Sequence, residues 1–217
     1  MATLRDWPEA VHLIGVGGIG THVLLALIEL GAREVHVWDD DIVSPHNRPN
    51  QFIYNKDDIG RPKVNGARRF VRSQQYDTIV IRHNRRVAKE TRLSGIVISG
   101  VDSMASRTEI WEAVCNSGGL VSTYIDGRIG DDHVWVFTTD PYDHDKAERY
   151  QSTLYSDEEA ADLSCTTRQN PHSALTVASI VSINLSLLLA EEPVNEADYR
   201  ILTQEAQRNV RHLLDVS

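Results

Sequence analysis

Cysteine is scarce in this chain of 217 residues, which carries only Cys115 and Cys165. Two cysteines cannot supply the pair of C-x-x-C motifs that a thiolate zinc site needs, so we expect no zinc. A chain of this length can bury a sufficient core without a disulfide, and two lone thiols fit a reducing compartment. The first residues also lack the basic and then apolar pattern of a signal peptide, which favours a cytoplasmic protein.

Positive charge is also in deficit, because 22 lysines and arginines face 31 aspartates and glutamates, for a formal net charge of −9. This balance excludes broad binding to a phosphate backbone, so we expect no nucleic-acid partner. A long uninterrupted hydrophobic run is missing too. The most apolar stretch, residues 174–190, is broken by polar side chains at Ser179, Ser182, Asn184 and Ser186. It predicts a buried or dimer-interface helix and not a membrane helix, and hence a homodimer.

The first forty residues have the pattern of a strand, a glycine turn, a helix and a second strand. Residues 11–14 form a short apolar run that stops at glycines, and residues 21–30 carry apolar side chains at helical spacing. Gly31 is a helix stop, and residues 34–38 resume an extended pattern. The pattern predicts a βαβ unit with a parallel pair of strands.

The glycine turn has the sequence Gly15-Val16-Gly17-Gly18-Ile19-Gly20. Between a strand and a helix, such glycines allow close backbone approach to a phosphate at the helix N-terminus. Asp39 ends the second strand, where a carboxylate can accept hydrogen bonds from ribose hydroxyls. Together they predict an adenine nucleotide. Nicotinamide and flavin dinucleotides use the same devices, so the choice among them stays open at this point.

Further along the chain, periodicity predicts helices at about 62–73 and 103–114, and strands at 78–81, 96–98, 120–125 and 134–137. The order indicates an α/β, Rossmann-like, mostly parallel sheet with helices on both faces and antiparallel edge strands near the C-terminal half. We expect one domain over residues 1–217. Its expected parts are a nucleotide-binding part at about 8–119, a crossover loop at about 138–170 and C-terminal helices at about 171–215.

Three more motifs follow the glycines in order: Asp39-Asp40-Asp41-Ile42-Val43, then Asn47-Arg48-Pro49-Asn50-Gln51, then Gly60-Arg61-Pro62-Lys63. A fourth, Asp102-Ser103-Met104-Ala105-Ser106-Arg107, follows the fourth strand. In these segments the chain resembles the ThiF/MoeB/HesA adenylyltransferases, which are related to the adenylation domain of ubiquitin-activating enzymes. That family has D-x-D-x-V, N-x-x-R-Q, G-x-P-K and D-x-x-x-x-R at these places.

The resemblance implies an ATP-dependent adenylyltransferase of the type that activates ubiquitin-like proteins. Its substrate would be a carboxylate, the C-terminal glycine of a ubiquitin-like or sulfur-carrier protein, activated as acyl-AMP with release of pyrophosphate. By the same resemblance Lys63 contacts the phosphates and Asp102 holds Mg²⁺, which usually binds through a carboxylate and substrate phosphates. The remaining nucleotide-binding residues are Gly15, Gly17, Gly18, Gly20, Asp39, Asp41, Asn47 and Gln51.

The chain departs from the family at Asn50, which stands where the family has its loop arginine. Either Arg48 substitutes through a shift of the loop, or another cation such as Arg61 supplies the charge. We take Arg48 as the candidate catalytic arginine. Relatives often borrow an N-terminal arginine from a partner subunit, and Arg5 is the candidate for that role here.

Cys165 lies roughly where the family places a catalytic cysteine. Arg168 would favour its thiolate, whereas the alternative is a buried and inert thiol. Cys115 is predicted to lie in the core, and Asp126-Gly127-Arg128 is predicted to form a turn.

Two other functions compete with adenylation. The first is an NAD(P)-dependent oxidoreductase, which is disfavoured because no second mononucleotide-binding half is evident after Gly119. The second is a nucleotide-binding scaffold whose chemistry has decayed, a reading to which Asn50 lends weight.

Overall fold

The structure is a computed structural model that describes residues 7, 10–46, 50–130, 133–155, 171–194 and 199–202. Within these residues the strands form a single seven-stranded sheet of order β3-β2-β1-β4-β5-β6-β7. Neighbours from β3 to β5 are parallel, and β6 and β7 are antiparallel to the strand before them. The strands are Val11–Ile14 (β1), Glu34–Trp38 (β2), Ile79–His83 (β3), Gly95–Ser99 (β4), Val121–Ile129 (β5), His133–Thr139 (β6) and Tyr199–Leu202 (β7).

Helices cover both faces of this sheet, and their bounds are Gly18–Glu29 (α1), Lys63–Ser73 (α2), Met104–Cys115 (α3), His144–Gln151 (α4) and Pro171–Leu189 (α5). Successive strand residues point to opposite faces. Thus Leu13 belongs to the core under α1, α2 and α5, and Ile14 to the core under α3 and α4. The Rossmann-like fold with antiparallel edge strands is therefore confirmed.

The predicted C-terminal helix is wrong where the structure describes it. Residues 199–202 form β7, which pairs antiparallel with β6 from Val136↔Tyr199 to His133↔Leu202. The outer edge of β6 would otherwise expose a row of unpaired backbone groups, and pairing outweighs the local helical pattern. Residues 203–215 of the predicted helical segment lie outside the described residues.

The predicted crossover loop at 138–170 also needs correction. Strand β6 runs to Thr139, and α4 follows after Asp143, whose side chain accepts a hydrogen bond from the Lys146 N–H. This cap and the burial of Tyr150 stabilise a helix in a segment of little apolar periodicity. Residues 156–170 lie outside the described part.

Helix α5 is the apolar stretch predicted to be buried. Val177, Val181 and Leu185 are fully buried against α1 and the β5–β6 hairpin. Residues 172–189 are long and apolar enough to cross a membrane, but half of this window is buried inside the protein, as in a core helix. Leu175 and Ile183 remain exposed on the outer side. The homodimer stays a prediction.

Candidate functional site

The turn from β1 into α1 is built so tightly that only glycine fits. A Cβ on Gly20 would lie 1.8 Å from the Gly15 carbonyl oxygen, and Gly15 itself has φ +85°. Helix α1 begins at Gly18 with Gly17 as N-cap, and no side chain among the described residues caps it. The first N–H groups of α1 are therefore available to an anion, and phosphate binding by the glycine motif stays a prediction.

Asp39 joins this turn to the end of β2. Its Oδ2 accepts from the Val16 N–H and its Oδ1 accepts from the Asp41 N–H, both at 2.9 Å. Burial raises the pKa of the Asp39 carboxyl above its usual value, although the Lys63 charge and these two N–H donors oppose the shift. Each oxygen keeps a second lone-pair direction, so the carboxylate can still accept a bond from a ribose hydroxyl.

Lys63 lies at the same edge of the sheet, at the first position of α2. It is only 6% exposed, and its Nζ donates to Asp41 Oδ2 at 2.8 Å. Its backbone N–H donates to the Asp41 carbonyl, which ties the start of α2 to the end of β2. The Asp41 side chain is 63% exposed, so this ion pair faces solvent. The lysine ammonium is a point charge on a flexible stem, so it can bind a phosphate oxygen as well as a carboxylate.

The carboxylates of Asp39, Asp40 and Asp41 form an acidic group at this edge, with one oxygen of each within 4.8 Å of the others. Oxygen ligands of this kind suit Mg²⁺. Two cations, Lys63 on Asp41 and Arg86 on Asp40, partly neutralise the group.

Gln51 reaches the glycine turn from the loop after β2. Its Nε2 lies 3.9 Å from the position a Cβ on Gly17 would take. The side chain is 8% exposed, and its Oε1 has no hydrogen-bond partner among the residues that the structure describes. Leaving a buried amide oxygen unpaired costs about 1–3 kcal/mol, so the position is suited to a polar ligand. The amide can present either its donor or its acceptor end there.

A second set of side chains, which the sequence analysis missed, fixes that loop. Tyr54 donates to the Val16 carbonyl at 2.8 Å, so the loop is bonded to the glycine turn itself. Arg69 of α2 binds Asp58 through Nε and Nη2, and its Nη2 also donates to the Ile53 carbonyl at 2.6 Å. The buried Asp58 also accepts from the Asn55 N–H. The signal available in the sequence was the Asn55-x-x-Asp58 spacing, which forms a capping box around the 3₁₀ turn Lys56–Asp58.

Asp102 lies three residues beyond β4, in the segment that approaches the glycine turn. A Cβ on Gly15 would lie 3.1 Å from the Gly100 carbonyl, so the two segments are in contact. The Asp102 side chain is exposed and makes no hydrogen bond or ion pair with the residues that the structure describes. The role of Asp102 in holding a metal ion stays a prediction.

The predicted turn at residues 126–128 is wrong, because these residues lie inside β5. Asp126 is fully buried and binds Arg107 Nη1 at 2.5 Å and Arg128 Nε at 2.6 Å. An Asp-Gly pair favours a turn locally, but a buried carboxylate between two guanidinium groups fixes it in the sheet. Cys115, predicted as core, is exposed at the end of α3.

Asn47, Arg48 and Cys165, three of the predicted site residues, lie outside the described residues, as do Arg5 and Arg168. Asn50 and Arg61 are described, and Arg61 is exposed beside the Lys63 end of the loop. Which cation replaces the family's loop arginine therefore stays open.

Comparison with known families gives a match to the ThiF family model over residues 4–211. The chain belongs to the ThiF family. This family identity agrees with the resemblance that the sequence motifs indicated.

Three curated proteins from different organisms are similar to this ThiF-family chain. The NEDD8-activating enzyme E1 catalytic subunit of Caenorhabditis elegans is 32% identical over 122 residues, 54% of this chain and 28% of that protein. The SAMP-activating enzyme E1 of Haloferax volcanii is 31% identical over 115 residues, 51% of this chain and 42% of that protein. The probable adenylyltransferase/sulfurtransferase MoeZ of Mycobacterium tuberculosis is 28% identical over 113 residues, 50% and 29% of the two lengths. The chain thus spans less than half the length of each.

Among solved structures, E. coli MccB with ATP superposes with a TM-score of 0.66 at 15% identity, covering 91% of this chain and 64% of that one. PaaA gives a TM-score of 0.67 at 15% identity, covering 92% and 65%. At such identity these likenesses establish the shared fold.

Proposed function

We propose that this protein is an ATP-dependent adenylyltransferase that activates a carboxylate as acyl-AMP and releases pyrophosphate. The ThiF family and the activating enzymes similar to this chain support the class of reaction. On the same grounds, the carboxylate is the C-terminal glycine of a ubiquitin-like or sulfur-carrier protein. The observation that carries the proposal is the buried Lys63 ammonium, held at the edge of the sheet by the exposed Asp41.

The position of Lys63 favours a triphosphate over a dinucleotide. The α1 N-terminus offers N–H groups to one part of the phosphate chain, and Lys63 offers a positive charge at the end of β2. A dinucleotide pyrophosphate is satisfied by the helix N-terminus alone, whereas a triphosphate brings additional negative charge that requires a cation.

In the reaction, a carboxylate oxygen of the substrate forms a bond to the α-phosphorus, and the bond between the α-phosphorus and the bridging oxygen of pyrophosphate breaks. The chain forms no covalent bond in this step. Its side chains hold the nucleotide. Asp39 accepts a hydrogen bond from a ribose hydroxyl, the buried amide of Gln51 hydrogen-bonds to the phosphate chain, and Lys63 stabilises negative charge on the phosphates. Groups placed in advance stabilise a developing charge without reorganising.

The residues present fit Mg²⁺, because Asp102 is an exposed carboxylate without a described partner and directly follows the Gly100–Val101 segment that contacts the glycine turn. When bound, the ion would neutralise charge on the phosphates and on the departing pyrophosphate. Asp102 would hold it from the protein side.

The test is exchange of labelled pyrophosphate into ATP in the presence of candidate ubiquitin-like proteins with a free C-terminal glycine. We expect exchange with one of them, and none with the same protein lacking that glycine. The exposed Lys56 provides a matched control for Lys63. Lys63→Met should reduce pyrophosphate exchange by about two to three orders of magnitude, and Lys56→Met should leave it unchanged. If the protein binds ATP but catalyses no pyrophosphate exchange with any carrier protein, the alternative of a nucleotide-binding scaffold without catalytic activity is favoured.

A further inference from the structure

We propose that Arg107 is a positioning residue that holds the segment carrying Asp102, with the buried Asp126 as its anchor. This inference rests on the proposed function, since it assigns to Arg107 the task of placing a carboxylate for the Mg²⁺–ATP complex.

Arg107 lies in the first turn of α3 and links the segment after β4 to strand β5. Its Nη2 donates to the Val101 carbonyl, one residue before Asp102, and its Nη1 donates to Asp126 Oδ1. The side chain is buried, so these bonds are shielded from water. A planar guanidinium can satisfy a carboxylate and a carbonyl at once, which an ammonium cannot do in the same geometry.

The anchor itself is held rigidly. The second oxygen of Asp126 accepts from Arg128 Nε at 2.6 Å and from the Tyr150 hydroxyl at 3.0 Å. Tyr150 packs against the rings of Trp111 and Tyr124, with ring centroids 4.6 and 5.1 Å away. The Asp126 carboxylate is therefore fixed from β5, α4 and α3 together, and Arg107 transmits that fixed position to Val101.

The segment after β4 depends on this support because Asp102 has none of its own. Its side chain makes no hydrogen bond or ion pair within the part of the chain that the structure describes. Its place is thus set by the backbone, between the Val101 carbonyl on one side and the Ser103 N-cap of α3 on the other. Partners that orient a metal-binding residue in this way typically change metal affinity or activity by about 10- to 100-fold when removed.

A merely structural role is the competing explanation, and Arg128 is the control that separates the two. Arg128 binds the same carboxylate and is equally buried, at 6% against 5% for Arg107. Its other bonds go to the Thr153 carbonyl and hydroxyl at the end of α4, and not to Val101. Loss of either arginine removes a buried cation beside Asp126, but only loss of Arg107 releases the segment of Asp102.

The experiment compares Arg107→Lys with Arg128→Lys in the full chain. It measures the Mg²⁺ concentration that gives half of the thermal stabilisation by ATP, and hydrogen exchange at residues 100–103 without nucleotide. We expect Arg107→Lys to raise that concentration at least about tenfold and to speed exchange at these amides. Arg128→Lys should have a clearly smaller effect on both, because the Tyr150 hydroxyl still donates to the same Asp126 oxygen and Arg107 still holds Val101. If Arg107→Lys does not fold, Arg107→Gln replaces it, because Asp126 then keeps Arg128 as a one-to-one partner.

A double-mutant cycle with Asp102→Asn completes the test. If Arg107 acts through Asp102, Arg107→Lys should lose most of its effect on the Mg²⁺ requirement when Asp102 is already Asn. The inference is overturned if the two arginine variants change the Mg²⁺ requirement equally, or if the effects of Arg107→Lys and Asp102→Asn on it are fully additive. Unchanged hydrogen exchange at residues 100–103 in Arg107→Lys would also overturn it. If Mg²⁺–ATP does not stabilise the wild-type protein, the proposed function is contradicted instead. Hydrogen exchange at residues 100–103 in the two arginine variants would still test the role of Arg107.

Discussion

Two loops approach the glycine turn at the carboxyl edge of the parallel strands, and each is held by an arginine from the helix that follows it. After β2, Arg69 pairs with Asp58 and binds the Ile53 carbonyl. After β4, Arg107 pairs with Asp126 and binds the Val101 carbonyl. Both arginines bind one carboxylate and one backbone carbonyl, but the carboxylates lie in different parts of the fold.

The anchor of the longer loop is local. Asp58 belongs to that loop, is fixed by its own capping box, and pairs with an arginine whose side chain is 37% exposed. The anchor of the shorter loop is distant, because Asp126 lies in the neighbouring strand and every member of its group is buried. A long loop can supply its own scaffold, whereas a loop of a few residues must be tied to the sheet.

The largest expected effect is on stability, at the distant anchor. Asp126→Asn would leave two buried guanidinium groups without their carboxylate, and breaking a buried pair typically costs about 3–5 kcal/mol. Asp58→Asn should cost clearly less in the unfolding free energy, because water can solvate the released Arg69. Urea unfolding of both variants measures this. Equal losses would mean that the two anchors are alike.

The next effect is on nucleotide chemistry, to which Lys63 contributes a charge at the start of α2 and Asp102 contributes one from the shorter loop. We expect Lys63→Met and Asp102→Asn to reduce pyrophosphate exchange by about two to three orders of magnitude each, the scale for a removed electrostatic partner. Lys63→Met should abolish ATP-induced stabilisation even with excess Mg²⁺, whereas excess Mg²⁺ should partly restore it in Asp102→Asn. Rescue of Lys63→Met by excess Mg²⁺, with no rescue of Asp102→Asn, would contradict the assignment of the metal to Asp102 and of the phosphates to Lys63.

A pH titration sharpens the same comparison, because the longer loop begins at a half-buried carboxylate and the shorter one carries an exposed one. Burial raises the pKa of Asp39 above 3.8. The folded protein therefore holds this proton at a higher pH than the unfolded chain, and the stability it contributes is lost as pH rises through the folded-state pKa. Protonation also removes acceptor capacity, so ATP affinity should fall as pH decreases through that pKa. The Asp39→Asn variant should lack this step, measured by calorimetry from pH 7 down to 4.

The smallest expected effect is that of Cys165→Ala on exchange. Formation of the adenylate needs no thiol, since ATP, Lys63 and the substrate carboxylate complete the step, whereas onward transfer to sulfur does. The variant should keep exchange within about twofold and lack any reductant-sensitive adduct with the carrier. Loss of exchange with an unchanged circular dichroism spectrum would place Cys165 within the adenylation chemistry.

Sequence alone singled out residues of the candidate site where a short motif determines its own geometry. The tight contact of Gly15 with Gly20, and the position of Lys63 beside Asp41, follow from residues close in the chain or from two ends of one βα unit. The motif D-x-x-x-x-R also marked Arg107, although not what the arginine binds.

The features that sequence missed depend on distant partners. Asp126-Gly127 has turn-forming residues, and only the arginines across α3 and β5 place it in a strand. The strand β7 exists because β6, some sixty residues earlier in the chain, offers an open edge. Arg69 binds Asp58 and the Ile53 carbonyl in a long polar loop, where no periodic pattern of apolar residues predicts the contact.

The measurement that bears most directly on the central claim is calorimetric titration of the wild-type protein with ATP and with NAD, each with and without Mg²⁺. The charge of Lys63 and the open carboxylate of Asp102 predict tight binding of ATP that depends on Mg²⁺, and weaker binding of NAD that does not. Tighter binding of NAD, or an ATP affinity indifferent to Mg²⁺, would contradict the assignment of this site to adenylate formation.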